Sequence, residues 1–183
     1  MLRRVDINRD SAENELLRAI YDNAFPIEER IPFYKIFDLL DLLGGEFSAY
    51  YDGETLVGLY IGFKMKKYNY GGYSAVDEKL RGKGYGQKIL NDILDRYKND
   101  YPFLADCESP LQADAPNLEI RKRRHAYYLR NKITDTGTYI TYNGVQYTIM
   151  TNSKDPIPKK DIDEAFDFLQ PIRDTIPVMK GES

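Results

Sequence analysis

From Tyr70 to Glu108 the chain reads "YGGYSAVDEKLRGKGYGQKILNDILDRYKNDYPFLADCE". An extended run leads through a charged bridge into a glycine-rich turn, then an amphipathic helix, then a second extended run. A strand–helix–strand unit of this kind crosses over right-handed and makes its two strands parallel. In open sheets ligands collect at the carboxyl ends of such strands. The turn itself is "RGKGYG", in which Gly82, Gly84 and Gly86 alternate with Arg81, Lys83 and Tyr85. Glycine loses the most freedom on ordering. Three of them before a helix therefore imply tight turns, or an anion that comes close to the backbone.

The remaining elements follow from pattern. Leu2 to Ile7 reads as a strand. Asp10 and Glu13 have capping-box spacing ahead of Leu16, Leu17, Ile20 and Tyr21 at helical intervals. Pro26 interrupts, and Pro32 opens a second helix that stops at Gly44-Gly45. Two β-rich runs flank Asp52-Gly53, a hairpin signal, and "YNYGGYSAV" adds a third strand. Asn117 is a good cap for the helix "LEIRKRRHAYYLRN". Asn143-Gly144 turns a second hairpin, and a last helix spans Lys159 to Leu169 before a loose tail. The expected fold is one α/β domain: a mixed central sheet of about seven strands with a splayed parallel pair and flanking helices. Residues 1–151 form its body, and 152–183 form a C-terminal helix and tail packed on it.

Composition narrows the function. With 183 residues there is enough chain for a sizeable core, and a net charge of −3 with mixed signs gives no call for nucleic acid. No apolar run reaches membrane-spanning length, and the first residues have no apolar signal region. One cysteine and one histidine exclude an internal disulfide and make no Cys/His metal site, so no metal is expected. These features point to a cytoplasmic protein, monomeric or homodimeric, without nucleic-acid or membrane partners.

Three readings compete for the glycine turn. A P-loop needs glycine where Asp77 stands and a hydroxyl where Gly84 stands, so it fails. A Rossmann turn is supported by Gly82, Gly84 and by Asp106 about twenty residues on, where a ribose-binding acid is expected. It lacks the third glycine, because Gln87 stands there, and the unit follows a meander instead of opening the chain. The third pattern is R-x-x-G-x-G, carried by Arg81, Gly84 and Gly86. It resembles the acyl-CoA pyrophosphate loop of the GNAT superfamily of N-acetyltransferases. The wider stretch "SAVDEKLRGKGYGQKILNDIL" is similar to that family's central motif, and the element order matches from Leu2 to Met150.

That resemblance implies acetyl-CoA as cosubstrate and a primary amine, on a small molecule or a peptide, as acceptor. The turn amides would hold the pyrophosphate at the helix N-terminus, with Gly84 and Gly86 allowing close approach and Arg81 or Lys83 at the rim. The loop residues Arg81, Gly82, Lys83, Gly84, Tyr85 and Gly86 are thus expected at the donor, as is the backbone of Ala75, Val76 and Asp77 along the pantetheine. Tyr128 falls at the family's tyrosine position and would protonate the leaving thiolate. Lys132-Ile133 replace the usual Gly-Phe after it, and a left-handed lysine there would be strained.

Other candidates each have a plain structural alternative. Glu108 ends the second splayed strand, either as a base or as a solvated strand-end charge. Glu28 and Glu29 in "FPIEER" would wall the acceptor cleft or simply lie in solvent. Tyr70, with Tyr68 and Tyr73, would line the acceptor pocket or pack across strands. Cys107 reads as a small buried apolar residue. Arg121 to Arg124 spread around a helix and read as a solvated face. The expected function is direct acetyl transfer to an amine. A non-catalytic acyl-CoA-binding module of the same fold and a Rossmann-like nucleotide enzyme stand as rivals.

Overall fold

The computed structural model describes residues 2–142 and 144–175, apart from the side chains of Glu28 and Arg173. The expected loose tail from 176 on, and the Asn143 half of the second hairpin turn, lie outside the described residues. The chain runs β1 (Arg3–Asp6), α1 (Asn14–Ala24), α2 (Phe33–Leu43), β2 (Gly45–Asp52), β3 (Thr55–Lys64), β4 (Asn69–Val76), α3 (Tyr85–Tyr97), β5 (Phe103–Glu108) and α4 (Leu118–Arg130). It continues with β6 (Thr134–Tyr142), β7 (Val145–Thr151), α5 (Lys159–Phe168) and α6 (Gln170–Arg173).

The seven strands form one sheet in the order β1-β2-β3-β4-β5-β7-β6. All neighbours are antiparallel except β4 and β5, which are parallel and pair only at Asn69–Phe103 and Tyr70–Leu104. Beyond Leu104 the two strands part. The cause lies in β4. Gly62 of β3 faces Gly71, but Ile61 faces Tyr73, so Gly72 is an extra residue. A bulge bends its strand, and this one follows directly on the last β4–β5 pair. Gly71 is needed at the closed end, because a Cβ there would meet the Phe103 ring at 2.5 Å. A sheet with a single parallel pair is not a Rossmann sheet, so that reading of the glycine turn is withdrawn.

Two cores cover the faces of the sheet. On one, α1 and α2 pack Leu17, Tyr21, Ile36 and Phe37 against Ala49, Leu59 and Ile61. On the other, Ile89, Leu90 and Ile93 of α3 pack with Phe103, Ala105, Cys107 and Met150, joined by Tyr127 and Tyr128 of α4. The C-terminal helices belong to the first core through Ile162, Phe166, Leu169 and Ile172. Full burial of a large aliphatic side chain stabilises by roughly 1.5–3 kcal/mol. The exposed Lys67–Asp161 ion pair that also ties α5 down, 2.8 Å long, belongs to a class worth about 0.2–1 kcal/mol. Apolar burial therefore decides where α5 and α6 dock.

Several local expectations are revised. No capping box forms at Asp10–Glu13: Ser11 Oγ instead accepts the Asn8 N–H at 2.9 Å, and α1 begins at Asn14 without a side-chain cap. Asn117 sits at the start of α4 but does not cap it, because its amide nitrogen goes to Glu108 and its oxygen to Arg121. The end of α4 keeps its turn although Lys132-Ile133 stand there. Ile133 N–H reaches the Tyr128 carbonyl at 3.1 Å and Lys132 N–H the Leu129 carbonyl at 3.1 Å, a Schellman ending. Lys132 adopts φ 60°, the strained left-handed conformation, and buried Ile133 anchors the turn. A side chain in that conformation costs roughly 1–2 kcal/mol, partly offset in glycine by its freer unfolded chain. Lys132→Gly is expected to raise stability by about 0.5–1 kcal/mol, read as a higher midpoint in urea unfolding with an unchanged m-value.

Candidate active site

The parting of β4 from β5 opens a cleft of about 460 Å³ that is lined from both faces of the sheet. Leu90, Ile93, Arg124, Tyr127 and Tyr128 line it on the α3/α4 side. Phe25, Glu29, Tyr70, Tyr73, Leu169 and Ile172 line it on the other. An intact sheet would separate these two sets; the bulge at Gly72 joins them.

The glycine turn stands at the carboxyl end of β4. Gly82 and Gly84 both have φ near +80°, and Gly84 is the residue before the first turn of α3. A Cβ added at either would meet nothing within 4 Å. The first four N–H groups of a helix have no partner within it. Those of α3 therefore gather beside open space, with the positive end of the helix dipole behind them. Exposed Arg81 lines the cleft, and its Nε reaches the Val76 carbonyl at 3.4 Å. Lys83 is exposed. The two remaining loop residues are engaged within the fold. The Tyr85 hydroxyl donates to Asp52 at 2.8 Å, and the Gly86 carbonyl accepts from Tyr127 at 3.1 Å.

On β4 the three expected backbone positions divide. Asp77 N–H donates to the Val57 carbonyl at 3.0 Å, so it faces β3, not the cleft, and its side chain accepts the Lys79 N–H. Peptide groups alternate along a strand, which gives Ala75 the direction of Asp77. Ser74 and Val76 then turn theirs to the opening, in agreement with the Arg81 contact to Val76. Ser74 was missed by sequence reasoning, although counting back two residues from Val76 would have found it.

Tyr128 is half-buried on the cleft wall, and its hydroxyl makes no hydrogen bond among the described residues. Burial pushes its pKa up, so the hydroxyl keeps its proton at neutral pH. Tyr127 stacks on it edge-on, with centroids 5.6 Å apart, but its own hydroxyl is tied to Gly86. Glu108 lines the cleft at only 5% exposure. One of its oxygens takes Asn117 at 3.0 Å and Arg121 at 2.9 Å, and the other takes Arg124 at 2.7 Å. Both oxygens are thus already taken up by donors of α4 and its N-terminal residue, which argues against a base role. Arg121, in turn, is 3% exposed, so the solvated-face reading of Arg121–Arg124 is corrected: Lys122 and Arg123 are exposed, while Arg121 is a buried partner of Glu108.

On the acceptor side, Tyr70 donates to Asp106 at 2.5 Å, and Tyr73 holds the Glu29 carbonyl at 2.8 Å. Glu29 and Asp106 both line the cleft, while the Glu28 side chain lies outside the described residues. Tyr68 is buried outside the lining, with its hydroxyl 3.3 Å from Asp161. Cys107 is buried, and burial pushes its thiol up to about 12, which leaves it unreactive. Sequence reasoning missed Phe25, Tyr147, Leu169 and Ile172 as lining residues. Nothing local marks them; they arrive by tertiary packing. Among the described residues no group of His, Cys, Asp and Glu is arranged for a metal ion, and no helix is long and apolar enough to cross a membrane.

A profile described as the Acetyltransferase (GNAT) family matches residues 12–118. Curated proteins gave no match. Among solved structures, a protein of Bacteroides thetaiotaomicron assigned to the GNAT family superposes with a TM-score of 0.76 at 20% identity, over 93% of this chain and 97% of the other. A GNAT family acetyltransferase from Elizabethkingia anophelis, solved with acetyl-CoA bound, gives a TM-score of 0.56 at 15% identity, over 82% of this chain and 96% of its own. The ribosomal-protein-S18-alanine N-acetyltransferase of Escherichia coli gives 0.59 at 14% identity, over 82% and 92%.

Proposed function

The chain belongs to the GNAT acetyltransferase family, and from that premise we propose that it transfers the acetyl group of acetyl-CoA directly to a primary amine. One observation carries the reading: the cleft crosses the sheet where β4 leaves β5, so a donor and an acceptor entering from opposite faces meet inside it. The Elizabethkingia relative, which holds acetyl-CoA, supports the choice of donor. In this reading the α3 amides and the glycine turn hold the pyrophosphate. The Ser74 and Val76 peptides pair with the pantetheine arm, and an N–H there polarises the thioester carbonyl. Tyr128 gives its proton to the departing sulfur.

The acceptor side is aromatic and carries the carboxylates of Glu29 and Asp106, which suits an amine that arrives as a cation. With Glu108 held by two arginines, we assign no protein base, and the ammonium loses its proton to water. The non-catalytic rival differs in one measurable respect. Thiol release from acetyl-CoA, followed by a colorimetric thiol reagent across a panel of amines, is expected to accelerate with at least one aromatic or aliphatic primary amine. Binding of acetyl-CoA without amine-dependent release across a broad panel would favour the binding module instead.

A further inference from the structure

The ion cluster beside Tyr128 holds more positive charge than its buried carboxylate requires. The Glu108 carboxylate is contacted by Arg121 at 2.9 Å and by Arg124 at 2.7 Å. Arg121, with a side chain only 4% exposed, already forms a pair with Glu108. Its other donors go inward, to Asn117 at 2.7 Å and Gln112 at 2.9 Å. Arg121 therefore suffices to neutralise the acid, and the second guanidinium is surplus. That guanidinium belongs to Arg124, whose side chain is 44% exposed and lines the cleft. Arg124 and Tyr128 are four residues apart on α4, which places them one above the other on the same face.

Resting on the acetyl-transfer reading above, we propose that Arg124, fixed by Glu108, stabilises the thiolate that leaves when the acetyl group is transferred. The amine nitrogen bonds to the thioester carbon, the C–S bond breaks and its electron pair stays on sulfur. The surplus proton on nitrogen goes to water, the Tyr128 hydroxyl supplies the proton that sulfur takes, and the phenolate regains a proton from water. A guanidinium remains charged throughout, so Arg124 transfers nothing. Its fixed charge opposes the negative charge that grows on sulfur, in a site partly shielded from solvent.

The local field agrees with this placing. Burial raises the pKa of the Tyr128 hydroxyl, and the nearby Arg124 charge opposes that rise. Burial likewise raises the thiol of Cys107, which lies in the core packed against Tyr128, and the Arg124 charge opposes that rise too. Asp106 accepts a hydrogen bond from Tyr70 across the cleft.

The test needs no acceptor. CoA, carbon-13 labelled beside its sulfur, is bound to the protein, and its thiol pKa is read from the chemical shift as pH is raised. Arg124→Gln is expected to raise the bound-thiol pKa by about one unit, a tenfold smaller thiolate fraction near neutral pH. Arg124→Lys should stay near the wild-type value. Glu108→Gln sets an amide NH2 against one of the two guanidiniums and so frees Arg124 from its lock; it should raise the pKa less than Arg124→Gln, and the double variant no further than Arg124→Gln alone. A purely structural lock would make Arg124→Lys fail as Arg124→Gln does. Equal values in wild type and Arg124→Gln, or an Arg124→Lys value as high as that of Arg124→Gln, overturn the proposal. Failure of CoA to bind the wild-type protein would instead remove the donor-site reading on which it rests.

Discussion

Tyr128→Phe is expected to lower kcat by about two to four orders of magnitude, the usual effect of removing a positioned acid, while acetyl-CoA affinity stays within a few-fold. The substitution removes one hydroxyl that makes no hydrogen bond among the described residues, so the fold loses little. Tyr127→Phe is the matched control, because its ring touches that of Tyr128 and lines the same cleft. Its hydroxyl donates to the Gly86 carbonyl at 3.1 Å. Losing that bond should cost about 0.5–1.5 kcal/mol of stability and leave kcat near wild type. The Schellman ending at Lys132 fixes which tyrosine is which, since it locks the last turn of α4. Steady-state kinetics with an amine that is turned over, beside urea unfolding of both variants, would separate the two effects. A crippled Tyr127→Phe with an active Tyr128→Phe would reverse the assignment. Two unaffected variants would mean that water protonates the sulfur.

The second large effect is expected at the turn. Gly84→Ala should weaken acetyl-CoA binding by roughly ten- to a hundredfold, as expected from the loss of one charge-assisted hydrogen bond, about 1.5–3 kcal/mol. Strain alone cannot be the explanation if Gly82→Ala is made beside it. Both glycines have φ +80° and open space where a Cβ would go. Each alanine should therefore destabilise the protein by a similar amount, about 1–2 kcal/mol. Only Gly84 lies directly before α3, where the unpartnered amides gather. Calorimetric titration of both variants with acetyl-CoA reads the difference. Equal affinities in Gly82→Ala and Gly84→Ala would show that the turn is a structural device and not an anion cradle.

The elements of the fold were legible because each is marked by neighbours in the chain. Asp52-Gly53 turns a hairpin because Gly53 tolerates φ +59°. Pro32 and Gly44 bound α2 because one fixes φ at a helix start and the other allows the turn that ends it. Side chains of β2 and β3 alternate between the two cores, and the 3.6 spacing of Ile89, Leu90 and Ile93 sets the buried face of α3. The glycine pattern before α3 was likewise visible as spacing, whereas Tyr128 was singled out only by the resemblance of the α4 end to the family's pattern. Local signals failed where a side chain had a better distant partner. Asn117 leaves its cap for Glu108 and Arg121, because a buried carboxylate and guanidinium need hydrogen bonds more than an exposed helix end does. The charge run at Arg121–Arg124 looked solvated, yet Arg121 is buried, because the strand that brings Glu108 beneath it lies across a loop.

The sequence by itself determined the order of strands and helices and the positive-φ turn beside the α3 amides. All of these rest on backbone conformation within a few residues. Tertiary structure alone decided that Gly72 would be the extra residue that parts β4 from β5, since a bulge is defined only against the partner strand. It also decided that Leu169 and Ile172 wall the acceptor side, and that Glu108 holds Arg124 against the cleft. These depend on which surfaces meet once apolar burial has docked α4, α5 and α6, and no spacing within the chain encodes that meeting.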